Sequence, residues 1–208
     1  MLIATANLYT HIVTKKAEDV ETAESQNSSG FFKWRDSTLS QLDINYRWSP
    51  VVYDIRGTKG RDADDMKARA YQGYPGEDVR AGDRAPNAPG LVDETDKETA
   101  LFEIFKPYFH TLLVFKPADT GVENIVSAVR ALTKSGVVRT VILGREEVPK
   151  EVLGASAYRD TQGYAHKAYH VDDAELAVVV VRPDGYVGAF VKDAEGLRKY
   201  FANIFVEL

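Results

Sequence analysis

The chain has 208 residues, a formal net charge of −5 and no cysteine. That length allows one sizeable core, or a core with an extended arm, and the acidic balance argues against nucleic acid, whose phosphates need a basic field. The missing cysteines exclude disulfides, thiol redox chemistry and sulfur-built zinc sites, and no apolar run approaches the ~20 residues of a membrane span, so a cytoplasmic protein with no membrane partner is expected.

Leu2, Ala6, Tyr9 and Val13 fall at helical spacing and are followed by Lys15 and Lys16, which predicts a helix over 2–16. No basic region precedes its apolar part, so it does not read as a secretory leader. Residues 18–30 are acidic, then rich in Ser and Asn, and predict a linker. Residues 31–53 hold Phe31, Phe32, Trp34, Tyr46, Trp48 and Tyr53. Within them Ile44, Tyr46 and Trp48 alternate with polar residues, which predicts a strand ending before Pro50. Residues 57–90 are rich in Gly, Asp, Arg and Pro. They predict a long irregular stretch with a turn or short helix at 64–70.

The aliphatic part comes last. Residues 99–105 predict a short helix or strand before Pro107, and 111–115 (TLLVF) a buried strand. Val122, Ile125, Val126, Val129 and Leu132 predict a helix with Gly136 as its C-cap. Residues 137–143 predict a second strand, and the polar stretch 145–170 a loop with a short helix. Val178 to Val181 form a β-branched run that Arg182-Pro183-Asp184-Gly185 breaks, which predicts two strands joined by a tight turn. Asp193 caps a last helix that sets Leu197, Tyr200, Phe201, Ile204 and Phe205 on one face.

The order β-α-β, then a crossover, then β-β-α predicts an α/β fold. It is a thioredoxin-like central mixed sheet flanked by helices, with an N-terminal helical and aromatic arm. The expected parts are a helix, linker and aromatic arm at 1–57, an irregular wrapping segment at 58–98 and the thioredoxin-like domain at 99–208.

GDRAPNAPGL (82–91), LFEIFKPYFHTLLVF (101–115) and VVVVRPDGYVGA (178–189) resemble the C-terminal region of phenol hydroxylase-type flavin monooxygenases. SQLDINYRWSPVV (40–52) is similar to the segment that precedes that region. The resemblance implies a thioredoxin-like domain without a CxxC, tied to dimerisation and to packing against a catalytic body. Those enzymes carry an FAD domain with a GxGxxG fingerprint, which this chain lacks. No FAD and no other cofactor is therefore expected, and no self-sufficient phenol hydroxylation. Met1 followed by a helix favours a natural short protein over a cut fragment.

Several residues could carry chemistry, and each has a plainer reading. His166 and His170 offer acid–base chemistry near neutral pH; a pair of loop or strand-edge histidines explains them as well. With Asp172 and Asp173 they could form a weak metal site, although no metal is the better expectation. His110 reads as a hydrogen-bonded histidine at the core's edge. Asp43, Tyr46 and Arg47 could anchor a flat aromatic ligand stacked on Trp48, Tyr53 and Phe31. Against that stands a structural strand whose Arg47 pairs with a carboxylate. The charges of 59–69 are explained by a solvated loop.

Two functions remain open. One is a cofactor-free enzyme or binding protein for an aromatic, polyketide-like or quinonoid molecule, with Asp43, Tyr46, His166 and His170 as acids or bases in an isomerase, lyase or cyclase. The other is a non-catalytic module that forms a homodimer or docks on a flavin monooxygenase. The number of tyrosines and the long stretch 57–90 favour the first.

Overall fold

The structure is a computed structural model that describes residues 43–58, 60–117, 121–133, 136–145, 147 and 154–205. The helix, linker and Phe31 expected at the N-terminus lie outside the described residues. Residues Gln41–Leu208 form one compact unit.

Its centre is an eight-stranded sheet. The strands are β1 (Tyr53–Asp54), β2 (Leu91–Val92), β3 (Glu98–Thr99), β4 (His110–Phe115), β5 (Val138–Gly144), β6 (Ser156–Asp160), β7 (Ala177–Val181) and β8 (Val187–Val191). They lie in the order β1-β8-β7-β4-β5-β6-β2-β3. β4 runs parallel to β5 and antiparallel to β7, and β7 runs antiparallel to β8. Helix α3 (Glu123–Leu132) joins β4 to β5, and α5 (Ala194–Ala202) follows the β7–β8 hairpin. Two parallel strands linked by a helix, then an antiparallel hairpin and a final helix, make a thioredoxin-like core. The remaining helices are α1 (Ala63–Ala68), α2 (Leu101–Ile104) and α4 (Tyr164–Tyr169).

Alternation along the strands builds two core layers. Leu112, Val114, Ile142, Val178 and Val180 face α3 and α5, meeting Ile125, Val126, Val129, Leu197, Tyr200 and Phe201. Leu113, Phe115, Val141, Leu143 and Val179 face the other way, onto Ala81, Ala85, Ala88, Leu91, Leu101 and Tyr169. Segment 58–98 therefore supplies part of the core of the sheet's second face. The alanines of RAPNAPG are fully or almost fully buried there. Each completely buried valine of β7 contributes about 1.5–3 kcal/mol of hydrophobic stabilisation.

The hairpin forms as expected. Gly185 donates to the Arg182 carbonyl at 2.9 Å, Pro183 sits inside the turn, and Gly185 takes φ +80°. The Asp193 carboxylate caps α5 by accepting from Gly196 N at 2.8 Å. Three expectations need correction. The strand expected at 44–48 is a loop, because its backbone bonds reach outward: Asn45 N donates to Ala70 O at 3.0 Å and Tyr46 N to Gly82 O at 2.7 Å. Helix α3 ends with Thr133 as its C-cap, before Gly136. The stretch 145–170 holds the expected short helix, α4, but also the strand β6, whose polar sequence hides a sheet position.

Candidate functional site

The loop 43–58 and the segment 61–83 form a layer on the β8 side of the sheet. β1 pairs in parallel with β8, Tyr53 opposite Ala189. Gly82 N donates to Val187 O at 2.7 Å, and Val187 N donates to Asp83 O at 2.8 Å. Gly82 lies so close to the Tyr46–Arg47 backbone that no side chain fits between them. The GD pair of the GDRAPNAP motif thus ties the aromatic loop to the hairpin strand.

Arg47 organises this layer. Its guanidinium binds Asp83 through two 2.7 Å bonds and Glu77 at 3.0 Å. Burial disfavours its charge, but the bonds and charges of Asp83 and Glu77 outweigh that and hold its pKa above the ordinary value. Arg61 shares Glu77, and its hydrogen bond is the first reason that the Glu77 carboxyl lies below its usual range. The guanidinium of Arg47 stacks on Tyr74, 3.8 Å from the ring centre. Arg56 clasps Asp54 at 2.7 and 2.9 Å and stacks on Phe190 at 3.6 Å. Burial pushes Asp54 up, but Arg56 and the Ala81 amide pull it down further, and the net shift is downward.

Above this network lies a cavity of about 320 Å³. Trp48, Val52, Tyr53 and Met66 give it apolar walls, and Arg47, Arg61 and Arg80 give it cationic ones. Two of its lining residues carry a buried donor with no acceptor: the Trp48 indole Nε1 and the Arg80 Nε. Arg80 is 8% exposed, and its guanidinium bonds the Gly57 carbonyl at 2.8 Å. A buried donor without a partner costs roughly 1–3 kcal/mol, more when charged.

Of the residues singled out in the sequence, Arg47, Trp48 and Tyr53 line this cavity. Asp43, Tyr46, His166 and His170 are not among its lining residues. Asp43 sits against Gly73. Tyr46 is 38% exposed and packs edge-on against Tyr186 at 4.8 Å. His166 is buried on α4, its Nδ1 2.8 Å from Asp160 Oδ2, and its ring meets the edge of Phe115. Burial raises the Asp160 pKa, but the His166 side-chain and backbone bonds lower it more. His170 ends α4 in a left-handed conformation and pairs with Asp78 at 3.2 Å on the surface. The two histidines, four apart in sequence, thus serve different partners. Among the described residues no group of three or more His, Asp or Glu is arranged to hold a metal ion, and no helix is long and apolar enough to cross a membrane. Arg61, Arg80, Glu77 and Asp83 went unnoticed in the sequence; only the readiness of Arg47 to pair with a carboxylate pointed toward them.

Residues 108–208 match the family described as phenol hydroxylase, C-terminal dimerisation domain. The C-terminal half is a phenol hydroxylase-type C-terminal domain. Among solved structures, the flavin-dependent monooxygenase PieE, crystallised with FAD and substrate, superposes with a TM-score of 0.51 and 20% identity, over 78% of this chain. The chain spans 24% of PieE, and an identity this low speaks for the fold. Two weaker likenesses are the thioredoxin domain of a thiol-disulfide oxidoreductase from Bacteroides vulgatus (TM-score 0.47, 13% identity, 61% of this chain and 98% of that one) and a 2-Cys peroxiredoxin from Plasmodium vivax (TM-score 0.44, 18% identity, 61% and 96%). No curated protein matches the chain. The chain contains no GxG pair anywhere. That spacing is the one by which a glycine-rich turn cradles a dinucleotide pyrophosphate at a helix N-terminus.

Proposed function

We propose that the chain is a non-catalytic assembly domain, pairing with a second copy of itself or docking on a flavin-dependent aromatic monooxygenase. The observation that carries this reading is a thioredoxin-like core with no cysteine in the chain, within a region whose family is described as a dimerisation domain. The chemistry usual for this fold needs a thiolate, which the chain cannot supply. The histidines support the same reading. His166 is held inside the core by Asp160, and His170 pairs with Asp78 at the surface. At the cavity wall the one carboxylate, Asp54, is engaged by Arg56 and the Ala81 amide. A cofactor-free proton-transfer enzyme needs an acid or base free to meet substrate.

Sedimentation velocity over a wide concentration range tests the proposal, together with co-sedimentation with a flavin monooxygenase of the phenol hydroxylase type. The expected result is a concentration-dependent species of twice the 23.1 kDa chain mass, or a stable complex with the monooxygenase. A monomer at every concentration that also ignores the monooxygenase would overturn it.

A further inference from the structure

The cavity beside Trp48 carries an inference that goes beyond assembly. We propose that it binds a small aromatic carboxylate, one or two rings in size, with the carboxylate on Arg80 and the ring against Trp48.

Charge selects the anion. Arg47, Arg56 and Arg61 each pair with a carboxylate, on Asp83, Asp54 and Glu77 respectively. Arg47 and Arg61 even share Glu77. Arg80 makes no ion pair with any carboxylate among the described residues; its guanidinium has the Gly57 carbonyl alone. The cavity lining thus holds three arginines and one carboxylate, Asp54, and one of the arginines, more than nine-tenths buried, is engaged by no carboxylate. A buried guanidinium with an idle N–H recognises a carboxylate through paired charge-assisted hydrogen bonds. Trp48, whose buried indole N–H also lacks an acceptor, lines the same cavity.

Shape selects the rest of the ligand. At about 320 Å³ the cavity lies at the small end of the range for small-molecule sites, which suits one or two fused rings. Trp48, Tyr53, Val52 and Met66 offer flat and flexible apolar surface for the ring. A divalent cation is disfavoured by a lining of three arginines against one carboxylate. With one unneutralised arginine, a monoanion balances the site and a doubly charged phosphate does not.

The test uses the full chain and 2-naphthoate, with uncharged 2-naphthamide as its isostere. The chain has two tryptophans, Trp34 and Trp48, so its indole N–H signals are assigned with Trp34→Phe. Naphthoate is expected to shift the Trp48 indole signal saturably, and naphthamide to bind at least about tenfold more weakly. Arg80→Gln should weaken naphthoate by about tenfold or more, and Arg80→Lys should recover part of that loss. Backbone amide spectra report whether each variant is folded. If Arg80→Gln does not fold, Trp48→Phe, read by calorimetry, replaces it, with a several-fold loss expected. The proposal is overturned if naphthoate gives no saturable shift, if the amide binds as tightly, or if the folded variants bind like the parent chain.

Discussion

Gly82→Ala is the substitution whose cost follows most directly from the packing of the loop 43–58. Gly82 has φ +98°, and a Cβ built on it would overlap Arg47 N and lie 2.5 Å from Tyr46 C and 2.6 Å from Arg47 Cα. Carbon atoms normally meet at about 3.5–4.0 Å, so the 46–47 backbone would have to retreat by roughly 1 Å. That retreat strains the 2.7 Å bond from Tyr46 N to Gly82 O and the two bonds from Arg47 to Asp83. The left-handed conformation costs an alanine about 1–3 kcal/mol, and weakening the backbone bond costs about 1 kcal/mol more. With the steric term, the expected loss is about 3–5 kcal/mol. For a chain of this size that is a fall in Tm of roughly 8–15 °C. Gly76→Ala is the matched control. Gly76 also has a positive φ, +77°, but nothing lies within 4 Å of its would-be Cβ. It should lose only about 1 kcal/mol, the conformational cost. Urea melts of both variants read the difference. If Gly82→Ala is no worse than Gly76→Ala, the close approach of the GD pair to the aromatic loop is not what holds the layer in place.

What could be read from the sequence was whatever depends on neighbours along the chain. The run Val178 to Val181, the TLLVF strand and the apolar spacing of α3 and α5 each announce burial locally, and the predicted order gave the thioredoxin-like core. The Asp193 cap and the Pro-Asp-Gly turn were legible for the same reason. What failed depends on distant partners. Asn45 and Arg47 reach residues 24 and 36 positions away, and such bonds leave no periodic trace. The alternation of Ile44, Tyr46 and Trp48 therefore mimics a strand. β6 escaped because Ser156–Asp160 carries an arginine and an aspartate, although Asp160 is 0% exposed. At the cavity, aromatic density pointed to Trp48 and Tyr53, while Arg61 sat in charges read as a solvated loop and Arg80 in a stretch read as irregular. Which charge of a mixed cluster lacks a partner is decided by packing alone.

Asp160→Asn should destabilise the chain by about 2–4 kcal/mol in urea melts, because the buried carboxylate accepts both from His166 N and at His166 Nδ1; a loss below about 1 kcal/mol would mean that the pair is incidental. His110 should govern stability in mild acid. It opens β4 with its ring against the edges of Tyr200, Phe201 and Phe205, at 6.4, 6.0 and 5.9 Å between centres. Burial lowers its pKa from the ordinary 6.5, and the charge of Arg182 lowers it further; Asp184 offsets only part of this. The folded state therefore takes up the proton at lower pH than the unfolded chain does. Stability is at its full value above pH 6.5 and falls as the pH drops below it, because the unfolded chain gains its proton first. One proton sets the steepest slope, about 1.4 kcal/mol per pH unit. The depressed carboxyls Asp54, Glu77 and Asp160 act through the same sign, but only below their ordinary values of 3.8 and 4.5. Between 6.5 and 4.5 the contribution of His110 is read as the difference between the parent chain and His110→Gln. Melting temperatures of the parent chain should fall across that interval more steeply than those of His110→Gln. Parallel curves for the two proteins would show that the aromatic edges around His110 do not discriminate against its charged form.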